Sequence, residues 1–298
     1  MINRLKALLT DERVLVNERL DRHTTFKVGG PCKALLLAET TEELKAVLRL
    51  LKEEGEDFFI LGNGSNLLVS DEGYDGYVIK LVGDFLSVKL EGDSIVAGAG
   101  VLLSKVCTFA RDNALSGLEF AYGIPGTVGG AMVMNAGAYG GEMKDVTESV
   151  SLLYNGDIVT RTAEEMQFGY RDSIIKHDDY IALETRFKLK KGCTEEIAAA
   201  MNDYMDRRRS KQPLEFPSAG STFKRPEGAF AGKLIEDSGL KGFRVGGASV
   251  SVKHAGFVVN DQNGTAADID ELMKRVAERV KKDSGFVLEP EVIRIGRF

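Results

Sequence analysis

Leu44, Val47, Leu48 and Leu51 recur at helical spacing behind Thr40-Thr41-Glu42-Glu43, and Gly55 follows them. That period lays one apolar stripe along a helix, the Thr-x-x-Glu start reads as a capping box, and the glycine stands where a helix ends. The apolar run 58–61 then reads as a buried strand, closed by the turn Gly62-Asn63-Gly64-Ser65-Asn66. Short apolar or alternating segments predict further strands at 76–81, 94–97, 149–154 and 181–189, with a helix over 103–112 among them. A second long helix starts at Thr194, carries Ile197, Met201, Tyr204 and Met205, and runs to Arg207-Arg208-Arg209 before Pro213 and Pro217 break the pattern. Helices at 230–237 and 265–282, strands at 249–252 and 256–259, and a last strand over 287–295 complete the chain. The helix at 265–282 presents Ile269, Leu272, Met273, Val276 and Val280 on one face. No repeat or low-complexity tract interrupts this α+β order.

A chain of 298 residues is too long for one small core and suits two or three domains sharing a cleft, with a boundary near 206–212. Hydrophobic content of 43% with 28% charged residues is that of a soluble globular protein and excludes extensive disorder. The net charge of -6 argues against the broad basic surface that nucleic acid requires. No signal-peptide core and no stretch of about 18 apolar residues is present, so a cytoplasmic protein without a membrane partner is expected. Cys32, Cys107 and Cys193 are odd in number and far apart, which leaves them reduced and mostly buried. His23, His177 and His254 do not pair at ligand spacing, and no metal site is expected.

Between Gly123 and Gly141 the chain places seven glycines in nineteen residues. Bare backbone of this kind can lie directly against a ligand, and the interleaved Ile124, Val128, Met132, Val133 and Met134 imply a packed wall instead of a linker. The turn Gly62-Asn63-Gly64-Ser65-Asn66-Leu67 offers a row of backbone N–H groups suited to phosphate oxygens, although a plain turn between two strands reads equally well from these residues alone. Leu67 stands where a dinucleotide fingerprint needs its third glycine. The segment Gly228-Ala229-Phe230-Ala231-Gly232-Lys233-Leu234 has the wrong spacing for a phosphate-binding P-loop.

Two glycine segments about 60 residues apart on α+β scaffolding resemble the flavin domain of the vanillyl-alcohol-oxidase type. Six motifs narrow the likeness. They are Gly62-Asn63-Gly64-Ser65-Asn66-Leu67, Gly123-Ile124-Pro125-Gly126-Thr127-Val128-Gly129-Gly130, Asn135-Ala136-Gly137-Ala138-Tyr139, Tyr170-Arg171-Asp172-Ser173, Ala219-Gly220-Ser221-Thr222-Phe223-Lys224 and Glu289-Pro290-Glu291-Val292. In this order, across nearly the whole chain, they resemble the UDP-N-acetylenolpyruvoylglucosamine reductase family in its shorter form.

The resemblance implies non-covalent FAD, with its diphosphate over 62–66 and its ring system against 122–139. The cofactor set is then Gly62, Asn63, Gly64, Ser65, Asn66, Leu67, Tyr122, Gly123, Ile124, Pro125, Gly126, Thr127, Gly129, Gly130, Asn135, Ala136, Gly137 and Ala138. It further implies two flavin lobes, 1–85 and 86–206, a substrate-binding domain over 207–286, and a strand 287–298 that returns to the first lobe. NADPH would donate hydride, and the enolpyruvyl ether of UDP-N-acetylglucosamine would accept it. Arg171, whose guanidinium can hold a carboxylate by two parallel bonds, would bind the enolpyruvyl carboxylate. Ser221 would protonate carbon and Glu291 would be the catalytic acid. Read without the family, these are a surface Arg-Asp pair, a turn serine and an edge-strand charge. Tyr170, Lys224 and Arg225 are candidate substrate ligands, while Arg207, Arg208, Arg209 and Lys241 are further basic neighbours for a diphosphate. Arg294 falls one residue away from where the family carries a basic side chain after the glutamate. Two other functions fit the same scaffold: a flavin oxidase or dehydrogenase acting on an alcohol or hydroxy acid, and a flavin or sugar-nucleotide binding module without turnover.

Overall fold

The computed structural model describes the whole chain, Met1–Phe298, as two compact units. The larger takes Met1–Val16, Ala34–Asn63 and Gly76–Arg208, and the smaller takes Asn17–Lys33, Gly64–Asp75 and Arg209–Phe298. The backbone thus changes unit inside the first glycine turn, between Asn63 and Gly64, and again at the end of the long helix.

In the larger unit, Ile2–Leu9 (α1) and Thr41–Glu53 (α2) accompany a four-stranded sheet. Its order is Val14–Val16, Cys32–Ala38, Tyr74–Leu81 and Phe58–Leu61. α2 begins with one half of the capping box its sequence predicts: the Thr40 hydroxyl accepts the Glu43 N–H at 3.2 Å. The Glu43 carboxylate takes the Glu39 N–H at 2.8 Å and a bidentate contact from Arg13 at 2.7 and 2.8 Å. That guanidinium holds the Glu43 carboxyl below the usual carboxylate range. The run 58–61 differs from its sequence reading as a buried strand. It lies at the sheet edge with Phe58 40% exposed, because its only ladder partner is Tyr74–Leu81.

A second sheet of five antiparallel strands is ordered Asp157–Thr162, Thr147–Tyr154, Ile181–Lys188, Ser94–Gly98 and Val88–Glu91. Its edges are the exposed, charge-bearing strands 157–162 and 88–91, the usual defence against edge pairing. Leu103–Asp112 (α3) and Val128–Val133 (α4) belong to the same unit, as does Thr194–Lys211 (α5) as far as Arg208. Within 123–141, read from the sequence as a packed wall without a helix, the Thr127 hydroxyl accepts the Gly130 N–H at 3.3 Å and starts the short helix α4, packed on the central strand Ile181–Lys188. Leu44, Val47, Ile79, Ile95, Val106, Val150 and Phe187 lie within this unit's core. Cys107 is buried in it, and burial pushes its thiol up to about 12; Cys193 is exposed.

The smaller unit packs Ala231–Asp237 (α6) and Ala266–Ser284 (α7) with a three-stranded antiparallel sheet of Arg244–Val245, Ala248–Val250 and Val258–Asn260. Ile269, Leu272, Met273, Val276 and Val280 are all buried, as their spacing requires. Thr265 and Asp268 form a reciprocal capping box at 3.1 and 3.0 Å. The Asp71 carboxylate accepts the next two helical N–H groups, of Ala266 and Ala267, at 2.8 and 2.9 Å. The tail is less regular than its apolar pattern predicts. Only Ile293–Ile295 forms a strand, parallel to Leu67–Val69, because Pro290 has no N–H for a ladder and makes a single bridge to Phe223. No helix of the structure is long and apolar enough to cross a membrane.

Asp71 supplies both acceptor oxygens to the first turn of α7, so Asp71→Ala is expected to cost about 1–2 kcal/mol. A lowered urea midpoint with an unchanged slope checks it, and an unchanged midpoint would show that water replaces the carboxylate.

Candidate active site

Thr127, capping α4, stands at the junction of the two glycine motifs of the larger unit. A Cβ added to Gly62 would meet the Thr127 hydroxyl at 2.7 Å, so residue 62 has no room for a side chain. A Cβ on Gly129 would meet the Ala99 Cβ at 3.0 Å and the Ala99 carbonyl at 3.1 Å, which lets α4 lie directly on the backbone beneath it. Gly130 is exposed, with only the Thr127 hydroxyl within 4 Å of such a Cβ, at 3.5 Å. Gly62, Thr127, Gly129 and Gly130 line an open cavity of about 100 Å³ together with Tyr180 and Lys80. Bare backbone beside the apolar side chains of Ile60, Leu61, Val133 and Ile181 leaves a face on which a flat ring system can lie.

Not every glycine of the segment serves that cavity. A Cβ on Gly141 would strike the Phe120 ring at 2.6 Å and one on Gly137 would strike the Gly141 carbonyl at 2.7 Å. These two glycines permit the protein's own packing. Asn63 donates its side-chain amide to the Pro125 carbonyl at 2.7 Å, which ties the first glycine motif to the second.

Arg171 stands at the tip of a turn closed by the Gly169 N–H donating to the Asp172 carbonyl at 3.0 Å. Its φ of +57° is left-handed, a conformation that costs a non-glycine residue of order 1 kcal/mol or more and must be held by its surroundings. The guanidinium donates to the Gly137 carbonyl at 3.3 Å and lies 5.1 Å from the Tyr170 ring centre. Lys176 Nζ donates to the Arg171 carbonyl at 3.0 Å. Burial alone would raise the Asp172 carboxyl; His177, at 2.8 Å, and Lys176 outweigh it and hold it low.

In the smaller unit the loop 64–66 approaches its own backbone more closely than a ligand-only role requires. Gly64 has φ +61°, and a Cβ there would lie 2.0 Å from the His23 carbonyl oxygen. The Gly64 carbonyl accepts the Thr25 N–H at 3.2 Å. Asn66 donates its side-chain amide to the Glu291 carbonyl at 3.1 Å, and its carbonyl accepts the Ile293 N–H at 2.9 Å. Leu67 opens the strand beside Ile293 and is buried.

Ser221 is exposed and next to the fully buried Thr222. Thr222 is fixed on three sides: its N–H donates to the Gly256 carbonyl, its hydroxyl accepts the Val258 N–H, and its carbonyl accepts the Glu291 N–H, each at 2.9 Å. Lys224 N–H donates to the Glu289 carbonyl at 2.8 Å, so 222–224 and 289–291 run side by side. This pairing brings Ser221 and the half-buried Glu291 to neighbouring places on two segments 70 residues apart in sequence. Glu289 is exposed and pairs with Lys224 Nζ at 3.3 Å.

The remaining basic candidates divide clearly. Arg294 pairs with the buried Asp270 carboxylate, and Lys241 with Glu236 at 2.7 Å. Arg207 pairs with Asp203 at 2.8 Å, while Arg225 lies over the Phe230 ring at 4.4 Å. The Arg209 carbonyl accepts Lys253 Nζ at 2.8 Å. Arg208 lies against Gly123, where a Cβ would sit 3.0 Å from its Cδ, and burial lowers its guanidinium's pKa. Sequence reasoning missed Tyr180 and Lys80, which carry no motif, and α4, whose Thr127 cap was visible behind Pro125-Gly126.

A family model described as "UDP-N-acetylenolpyruvoylglucosamine reductase, C-terminal domain" matches residues 212–295, and one described as "FAD binding domain" matches 32–162. A protein of Alkaliphilus oremlandii (strain OhILAs) named UDP-N-acetylenolpyruvoylglucosamine reductase is 49% identical over 98% of this chain and 96% of its own length. A protein of the same name from Clostridioides difficile (strain 630) is 48% identical with the same two coverages. The crystal structure of UDP-N-acetylenolpyruvylglucosamine reductase from Thermus caldophilus matches with a TM-score of 0.83 at 40% identity, covering 95% of this chain and 99% of that one.

Because Gly64 is forced by the His23 backbone, Gly64→Ala is expected to destabilise the flavin-free protein itself, by about 1–3 kcal/mol. Thermal melting of apoprotein checks this; an unaltered melt with lost ligand affinity would mean that the glycine is kept bare for a ligand alone.

Proposed function

The chain belongs to the UDP-N-acetylenolpyruvoylglucosamine reductase family, and from that membership we propose that it reduces the enolpyruvyl ether of UDP-N-acetylglucosamine to UDP-N-acetylmuramate, a step of peptidoglycan precursor synthesis. It is an FAD-dependent oxidoreductase on the vanillyl-alcohol-oxidase type of flavin fold, with a C-terminal α+β domain. In this reading residues 207–286 bind substrate and the stretches before them carry most of the cofactor contacts. The observation that supports it best is the cavity walled by Gly62, Thr127, Gly129 and Gly130, whose bare backbone fits a flavin ring.

FAD, when bound, supplies the hydride that adds to the methylene carbon, and NADPH renews it. Everything else falls to side chains of this chain. Adding hydride to the CH₂ carbon breaks the C=C π bond and pushes its electron pair onto the carbon bearing the carboxylate, making an enolate. Arg171 would hold that carboxylate through two N–H groups and stabilise the charge as it grows. Glu291, as the protonated acid, would donate a hydrogen bond to the same enolate. Ser221 would give its proton to the ether-bearing carbon, completing the lactyl group, and recover a proton from solvent. An alcohol is a weak acid, so this transfer needs fixed geometry, which the threefold anchoring of Thr222 provides to its neighbour. Tyr170, Lys224 and Arg225 would hold the substrate's anionic groups.

Purified holoprotein is expected to oxidise NADPH continuously when the enolpyruvyl nucleotide is present; rapid flavin reduction by an alcohol or hydroxy acid, and none by NADPH, would replace this function with that of another flavin dehydrogenase. Ser221→Ala should still be reduced by NADPH yet turn over roughly 10²–10⁴-fold more slowly, and unchanged turnover would remove the serine from the mechanism. Arg171→Ala should retain flavin and be reoxidised slowly by the nucleotide; colourless protein would mark the arginine as structural.

A further inference from the structure

Asn135 was a cofactor candidate by its motif, yet the structure spends its side chain elsewhere. The residue is 0% exposed, with a left-handed φ of +40° directly behind the end of α4. Its amide nitrogen donates to the Gly169 carbonyl and to Glu142 Oε2, both at 2.9 Å, and its amide oxygen accepts the Lys144 N–H at 3.0 Å. Both donors and the oxygen are therefore used within the protein. A fully committed buried amide rigidifies what it joins.

Gly169 is the first residue of the turn that carries Arg171 at its tip, so one amide bond reaches the back of that turn. The front is held from the same hairpin, since Gly137, two residues after Asn135, accepts from the Arg171 guanidinium at 3.3 Å. Gly137 and Ala138 pair with Glu142 and Gly141. Burial alone would raise the Glu142 carboxyl, but Lys144, Asn135 and the charge of Arg171 outweigh it and keep it ionised below the usual range. Asn135 thus joins three things: the end of α4, the hairpin beside the guanidinium, and the turn that fixes the Arg171 backbone.

We propose that Asn135 is a positioning residue for the reduction of the enolpyruvyl substrate, holding the Gly169 carbonyl so that Arg171 keeps the left-handed turn from which its guanidinium meets a carboxylate. The inference rests on the reading of Arg171 as a substrate ligand. An aspartate at 135 fills the same volume, accepts from Lys144 as before, and when ionised can donate to neither Gly169 nor Glu142. A misplacement of about 1 Å at such a group is enough for roughly a 10²-fold loss of rate.

The test is a double-mutant cycle in rapid-mixing experiments on holoprotein, with Asn135→Asp, Arg171→Ala and the pair. Flavin reduction by NADPH and flavin reoxidation by the enolpyruvyl nucleotide are measured separately. Asn135→Asp is expected to keep its flavin, to be reduced within about threefold of the wild-type rate, and to be reoxidised roughly 10²-fold more slowly. Its slow reoxidation should recover as pH falls and the aspartate regains a proton it can donate. In the Arg171→Ala background the Asn135→Asp penalty should nearly vanish. Lys176→Met, which removes the contact to the Arg171 carbonyl and the weaker pairing with Asp172 at 3.8 Å, gives a second variant outside the buried core; it should slow reoxidation alone. Equal slowing of both half-reactions, loss of flavin from Asn135→Asp, or full additivity of the two penalties would overturn the positioning role while leaving Arg171 in place. Wild-type reoxidation by Arg171→Ala would instead overturn the reading of Arg171 itself, and the positioning role with it.

Discussion

The strand Ile181–Lys188 is hydrogen-bonded on both edges, to Thr147–Tyr154 on one side and to Ser94–Gly98 on the other. The candidate chemistry of the larger unit is built on that double pairing. Ile181 and Ala182 line the cavity at the strand's start, α4 lies across the strand, and Gly129 of α4 touches Ala99 just beyond the neighbouring strand. The turn bearing Arg171 belongs to the connection between Asp157–Thr162 and this strand. A register slip of one residue would exchange every inward and outward side chain, and with them both the cavity wall and the arginine turn. The buried Phe187 and the small Ala182 are at this strand's two ends for that reason: one fills core, the other leaves room.

Three of the left-handed non-glycine residues stand beside the candidate site. Asn135, Tyr139 and Arg171 all have positive φ without being glycine, and all belong to the glycine segment or to the turn beside it. Tyr139 is held by stacking on Tyr204 at 4.5 Å and by donating its hydroxyl to the Tyr204 carbonyl at 3.0 Å. Each strained backbone is thus paired with a directional contact strong enough to keep it, the pattern expected of preorganised sites.

Most long elements were legible from periodicity. The apolar stripes of α2 and α7 and their threonine caps mark both helices to within a residue or two, and the helix at 103–112 matches α3. Three features escaped. The edge position of Phe58–Leu61 depends on which strand pairs beside it, and an apolar run carries no sign of that. Both glycine stretches read as ligand walls, and nothing in the sequence shows that Gly64, Gly137 and Gly141 also lie close to His23, the Gly141 carbonyl and Phe120 in the same chain; a missing side chain looks the same in sequence whatever replaces it. α1, whose Leu5 and Leu9 are both buried, went unread because a short polar-interrupted stretch gains its helix from packing. The glycine walls were legible from composition, whereas Arg171, Ser221 and Glu291 were visible only through family motifs. What no motif revealed is that Ser221 and Glu291 are brought together by main-chain pairing through Thr222, and that Arg294 is spent on Asp270.

In the function proposed here, bare backbone of this chain cradles a flavin that works on an enolpyruvyl carboxylate. The most direct measurement is the visible spectrum of apoprotein titrated with FAD and followed without oxygen. The expected result is a saturable one-to-one change in the flavin bands, bleaching on one equivalent of NADPH, and return of the oxidised spectrum on one equivalent of the enolpyruvyl nucleotide. Folded protein that leaves the FAD spectrum unchanged, or a bleached flavin that the nucleotide does not restore, would contradict it.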